Sequence, residues 1–108
     1  MSLRKVECII RSERFEELKQ RLLSLGIGGM TISDVRGFGR QTSRPDSYLI
    51  LPKLKVEVYC RAHETDAIVD AIIQACRKNE LGDGKIAIYP LENIIRVRTG
   101  EELENAIY

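Results

Sequence analysis

Apolar and polar positions along this chain follow two periods, and the switches between them mark out the elements. Val6 to Ile10 is β-prone and mostly apolar, which predicts a strand over about 5–11. Phe15, Leu18, Leu22 and Leu25 then recur at helical spacing, with Glu16, Lys19 and Arg21 between them. This predicts a helix over about 13–25, with Ser12 as its N-cap and Gly26 as its C-cap. Met30, Ile32 and Val35 predict a second strand running into Gly37. Residues 40–47 hold no apolar side chain, and Pro45 breaks any ladder there, so this stretch is a loop. Leu54, Val56 and Val58 alternate with Lys55, Glu57 and Tyr59, giving a third strand with one polar face. Ile68, Ile72, Ala75 and Cys76 mark a second helix over about 64–78, with Gly82 shortly beyond it. Ile86 to Tyr89 is a fourth strand, and Ile94 to Val97 a short fifth, with Arg96 and Arg98 on the face opposite Val97.

The order β-α-β-β-α-β predicts an α+β, ferredoxin-like βαββαβ sandwich, with two helices over one face of a four-stranded antiparallel sheet. The other face needs cover, which implies homo-oligomerisation. At 108 residues there is room for one domain, over 1–108. A charged fraction of 31% suits a soluble protein, and a net charge of +1 argues against a general nucleic-acid binder. No apolar run is long enough to span a membrane, and the N-terminus enters alternating sequence with no signal-peptide pattern. Cys8, Cys60 and Cys76 are far apart, and His63 is the single histidine, so zinc-site spacing is absent. Three free, buried thiols in a reducing cytoplasm are expected.

Candidate chemistry lies in three short segments that combine glycine with a cation. They are Gly37-Phe38-Gly39-Arg40-Gln41, Gly82-Asp83-Gly84-Lys85 and Arg96-Val97-Arg98-Thr99-Gly100. Glycine lets backbone approach a ligand closely, while Lys and Arg neutralise phosphate or carboxylate. Each segment alone also reads as an ordinary turn or a solvated strand face. Together they suit an anion site, above all one for a nucleotide. Lys53, Lys55 and Glu57 share a polar, salt-bridged strand face. Glu101, Glu102 and Glu104 read as a solvated acidic tail, and His63 as a surface residue. No nucleophile–base or carboxylate pair follows from spacing, so an enzyme is not expected.

Read in order, these segments resemble the PII family of nitrogen-regulatory signal transducers. The resemblance is carried by Val6-Glu7-Cys8-Ile9-Ile10-Arg11, the run Gly29 to Gln41, Leu51 to Glu57, Gly82 to Ile86, and Ile95 to Glu101. It implies a ferredoxin-like homotrimer with ATP or ADP in each cleft between subunits. Gly37, Arg40, Gln41, Gly82, Asp83, Gly84 and Lys85 would come from one subunit. Gly29, Met30, Thr31, Glu57, Arg96 and Arg98 would come from the next. Lys85, Arg96 and Arg98 would hold phosphates, and Glu57 would accept from the adenine amino group or the ribose. Gln41 and Lys53 match the positions that help bind Mg-ATP and 2-oxoglutarate, with Gln41 beside the Mg. The resemblance further implies regulation of nitrogen-metabolism partner proteins through the T-loop, here about 40–52.

That loop departs from the family pattern. It is several residues shorter and lacks the Tyr-Arg-Gly-Ala/Ser-Glu-Tyr tip, and Tyr48 does not match the modifiable tyrosine by context. Tyr59 stands where the family has a small aliphatic residue near adenine, so it too belongs to the expected nucleotide site. Alternatives are a PII-like regulator with a changed effector and target, such as one tied to bicarbonate or carbon metabolism, and a slow ATP hydrolase. A nucleic-acid module on this fold would need exposed aromatics, for which Tyr59 and Tyr89 are the candidates.

Overall fold

The N-terminal apolar run forms strand β1, Leu3–Ile10. Helix α1, Phe15–Ser24, follows, then β2, Thr31–Gly37, and β3, Leu51–Arg61. Helix α2, Thr65–Cys76, and β4, Lys85–Leu91, complete the order β-α-β-β-α-β predicted from the sequence. The structure is a computed structural model, and it describes residues 2–37, 51–80 and 82–108.

The four strands form one sheet in the order β2-β3-β1-β4, with every neighbouring pair antiparallel. Period-two alternation decides which face is buried. Val6, Cys8 and Ile10 of β1 share a face with Val56, Val58 and Cys60 of β3, and all six are buried. Against that face α1 sets Leu18 and Leu22, and α2 sets Ile68, Ala71, Ile72, Ala75 and Cys76. Truncating a fully buried leucine such as Leu18 costs about 2–5 kcal/mol in a core of this kind.

The ends of α1 differ in how they are made. At the C-terminus Gly26, at φ +83°, donates to Leu23 O at 3.0 Å, while Ile27 donates to Leu22 O at 3.1 Å. This pair of bonds is the Schellman motif, and it satisfies carbonyls the helix leaves open. At the N-terminus Ser12 does not cap. It lies inside a single 3-10 turn, Ser12–Arg14, because Arg14 N–H donates to Arg11 O at 3.1 Å and backbone takes the cap's place.

The expected fifth strand over 94–97 is not one. Ile95 makes a single bridge to Glu102. Gly100 N–H donates to Arg96 O at 2.7 Å and Arg96 N–H to Glu101 O at 2.9 Å. Gly100 at φ +73° makes the reversal, so the backbone is satisfied within its own loop rather than in the sheet. Arg96 and Arg98 therefore share no strand face. The loop is tied back to the body where Arg61 Nε meets Glu104 Oε2 at 3.2 Å.

The face of the sheet away from the helices has no second layer among the described residues. It carries Thr31, Ser33 and Val35, then Lys53, Lys55, Glu57 and Tyr59, then Lys5, Glu7 and Ile9, then Lys85, Ala87 and Tyr89, by register. Ile9, Tyr59 and Tyr89 are exposed on it. No helix of the described residues is long and apolar enough to cross a membrane.

Candidate functional site

At one end of the sheet the chain leaves α2, turns through Gly82-Asp83-Gly84 and enters β4 at Lys85. Gly82 and Gly84 sit at φ +95° and +105°, a region that L-residues with a Cβ avoid. A Cβ on Gly84 would also collide with the carbonyl oxygen of Ile9, so only glycine lets this loop lie against β1. Asp83 turns inward. Its Oδ1 meets Arg11 Nη1 at 2.5 Å, and its Oδ2 accepts the N–H groups of Lys78 at 2.9 Å and Glu80 at 3.3 Å. The Arg11 guanidinium, then these backbone N–H groups, hold the Asp83 carboxyl down to about 2. Lys53, near the start of β3, donates from Nζ to the carbonyl of Gly82 at 3.2 Å. Lys85 is exposed, pairs across the ladder with Ile9, and forms no ion pair among the described residues. Gly37, the last residue of β2, faces Leu51 at the same end.

The remaining expected residues lie away from this turn, Glu57 and Tyr59 within β3 and the others around the start of β2 or after β4. Gly29 is exposed ahead of β2, Thr31 opens that strand opposite Glu57, and Met30 is half-buried and packs against the core. Glu57 is held by Lys5 Nζ at 3.1 Å, and Lys5 also lies 3.8 Å from Glu7 Oε1 and 4.4 Å from the centre of the Tyr89 ring. The hydrogen bond that Lys5 donates to Glu57 is the largest of the effects that raise the Lys5 pKa. Tyr89 donates to Glu7 Oε2 at 3.4 Å, and Tyr59 stands opposite Lys5.

In the 94–102 loop Arg96 Nη1 meets Glu101 Oε1 at 2.6 Å, while Thr99 Oγ1 donates to the same oxygen at 2.9 Å. Arg98 forms no ion pair among the described residues. The acidic tail is largely exposed, as expected, and also paired: Glu101 holds Arg96, Glu102 accepts from Asn93 at 3.2 Å and Glu104 holds Arg61. Glu57 is bridged by Lys5 rather than by its strand neighbours Lys53 or Lys55.

The Gly82–Lys85 turn and the 94–102 loop lie at opposite ends of β4. β4 has seven residues, which puts its ends about 20 Å apart. Gly37, Lys53, Gly82, Asp83, Gly84 and Lys85 lie toward one end of the sheet, and Arg96 and Arg98 follow the other end of β4; Gly29 and Thr31 lead into edge strand β2, level with Glu57 in the middle of β3. One subunit does not bring the turn and the loop together. Arg40 and Gln41 lie outside the described residues, as does most of the 40–52 loop. Among the described residues no group of three His, Cys, Asp or Glu side chains is placed to hold a metal ion. The thiols Cys8, Cys60 and Cys76 are free and buried, and burial pushes Cys8 up to about 12 and Cys76 up to about 11. His63 is exposed.

Sequence reasoning missed Arg11 as part of the site. Its partner lies 72 positions away, and no local pattern signals such a pair.

Comparison with known proteins places these features in a family. The family model "Nitrogen regulatory protein P-II" matches residues 3–101. The nitrogen regulatory protein P-II of Microchaete diplosiphon is 46% identical over 112 aligned positions, covering 97% of this chain and 100% of the relative. That of a Synechocystis strain is 43% identical over the same coverage. Among solved structures, the B. subtilis GlnK–ATP complex matches with a TM-score of 0.86 at 32% identity, over 97% of this chain and 95% of that one. Arabidopsis thaliana PII bound to citrate matches with a TM-score of 0.82 at 39% identity, over 97% and 89%.

Proposed function

This chain belongs to the nitrogen regulatory protein P-II family, and on that premise we propose that it is a non-enzymatic, cytoplasmic signal-transduction protein. In this reading residues 1–108 form one domain, three copies assemble, and ATP or ADP binds between neighbouring subunits. The supporting observation is the separation of the two cationic segments by the length of β4. A phosphate chain reaches both only if a second subunit brings its Arg96–Arg98 loop to the first subunit's Gly82–Lys85 loop. The open sheet face, with Ile9, Tyr59 and Tyr89 exposed, is the surface that assembly would cover. A solved relative is a complex with ATP, which favours that ligand class here.

Each expected residue takes a role its chemistry allows. Lys85, Arg96 and Arg98 neutralise phosphate, while the backbone of Gly82 to Gly84 comes close to it. Glu57, with Thr31, Gly29 and Met30 nearby in sequence or register, accepts from the base or the ribose. Asp83 shapes the loop from within. Mg would arrive with ATP; Gln41, the residue expected beside it, lies outside the described residues. Lys53 joins the base of the T-loop to the Gly82 carbonyl. A ligand that draws the Lys53 ammonium away biases that loop, and the loop carries the state to a nitrogen-metabolism partner by population shift.

Light scattering tests the assembly: three chain masses are expected, and a stable 12.3 kDa monomer overturns it. Titrating 2-oxoglutarate into the Mg-ATP complex tests the effector. Binding with Mg-ATP but not ADP, lost in Lys53→Ala, supports this reading. No binding supports a P-II-like regulator with a changed effector and target, which the shortened 40–52 segment favours. A slow ATP hydrolase is the weaker alternative, and phosphate release from ATP tests it.

A further inference from the structure

Arg11 lies one residue beyond β1, and no role in a ligand site follows from its place in the sequence. Its guanidinium nevertheless reaches across to the Gly82–Lys85 loop, where Nη1 lies 2.5 Å from Asp83 Oδ1 and Nη2 lies 3.7 Å from Glu80 Oε2. The other Asp83 oxygen is occupied by the N–H groups of Lys78 and Glu80, and Asp83 N–H donates to Glu80 O at 3.3 Å. The carboxylate thus gathers three stretches at one point: the end of β1, the chain leaving α2, and the two-glycine turn into β4. Gly82 and Gly84 have the widest backbone freedom of any residue type, so the loop needs such an anchor to keep one shape. The guanidinium side chain is only 16% exposed, which adds to its hold, because a shielded ion pair is less screened than a surface one.

We propose that Arg11 is a positioning residue for the nucleotide phosphates: through Asp83 it holds the Gly82–Lys85 loop in the shape that receives them. The inference rests on the nucleotide site proposed above. It assigns Asp83 an indirect role, since the side chain spends its hydrogen bonds on protein partners. Affinity is then set partly by how much loop ordering remains to be done when the ligand arrives, and Arg11 does that ordering beforehand.

Calorimetric titration of Mg-ATP and hydrogen exchange without nucleotide test it together. Arg11→Gln is expected to weaken ATP binding about tenfold, as one charge-assisted contact does. Amide exchange of residues 82–85 should quicken by a similar factor while the strands of the sheet keep their protection. Arg11→Lys should recover most of the affinity. In an Asp83→Asn background, Arg11→Gln should add little, because the two act as one unit. A full additional loss in that background, or unchanged exchange at 82–85 in Arg11→Gln, overturns the proposal. So does unchanged ATP affinity in Arg11→Gln when Lys85→Ala has lost it, and that result leaves the nucleotide site standing. A native chain that binds no ATP overturns both.

Discussion

The two ends of the sheet use the same ingredients, glycine, a carboxylate and two cations, and combine them in opposite ways. At the Gly82 end the carboxylate reaches beyond its own loop: Asp83 clasps Arg11, one residue past β1. At the far end it reaches inward: Glu101 takes Arg96 of its own loop. In each case one cation is spent on structure and one is left without an ion pair among the described residues, Lys85 at the first end and Arg98 at the second. A loop built into its neighbours is fixed before a ligand arrives. A loop closed on itself can move as a unit, which suits a part contributed to someone else's site.

The largest expected difference between the ends is in their glycines. Gly84→Ala places a Cβ against the Ile9 carbonyl at a positive φ and should cost about 3 kcal/mol of folding free energy. Gly100→Ala, also at positive φ but with nothing within 4 Å of the new Cβ, should cost about 1 kcal/mol. Urea unfolding of both variants checks this, and equal losses would erase the distinction between a built-in loop and a self-contained one.

The cations come next. Lys85→Ala and Arg98→Ala should each lower ATP affinity about tenfold to a hundredfold. Arg96→Ala should lose less, since Arg96 must first leave Glu101. Conversely, Glu101→Gln should raise ATP affinity about threefold by freeing Arg96, an effect on the scale of a surface ion pair. Calorimetry on the four variants gives the ranking, and an Arg96→Ala loss larger than that of Arg98→Ala would reverse the roles assigned here.

A smaller effect follows from acidity. The Asp83 carboxyl sits near 2, below its ordinary value, so the folded state holds it ionised more firmly than the unfolded chain does. Its contribution is complete above the ordinary carboxylate range and is lost as pH falls through about 2. Unfolding free energy followed from pH 6 to pH 2 should therefore fall less steeply in Asp83→Asn than in the native chain. Parallel curves would show that the clasp contributes nothing on this limb.

The fold was legible because both periods are clean where it matters. Val6, Cys8 and Ile10, and likewise Val56, Val58 and Cys60, alternate with polar residues, and Leu18 and Leu22 lie on one helical face. The fifth strand misled because Ile95 and Val97 alternate with Arg96 and Arg98, while the outcome is fixed by backbone pairing within the loop, which alternation does not report. Ser12 misled because capping chemistry was read from residue type, and a backbone 3-10 turn took the place. The glycine-rich loop and its Lys85 were visible locally. The Arg11–Asp83 clasp was not, because it joins residues 72 positions apart, and neither was the Lys5–Glu57 pair across β1 and β3.

The central claim is that one nucleotide site needs both ends of the sheet, from two different subunits. Mixing tests it most directly. Lys85→Ala and Arg98→Ala chains are each expected to bind ATP weakly alone. Unfolded together and refolded at equal amounts, they should regain tight sites numbering about a quarter of those of the native trimer, because a mixed ring pairs one intact Lys85 end with one intact Arg98 end. If the mixture binds no better than its two components, the site lies within a single subunit and the account is wrong.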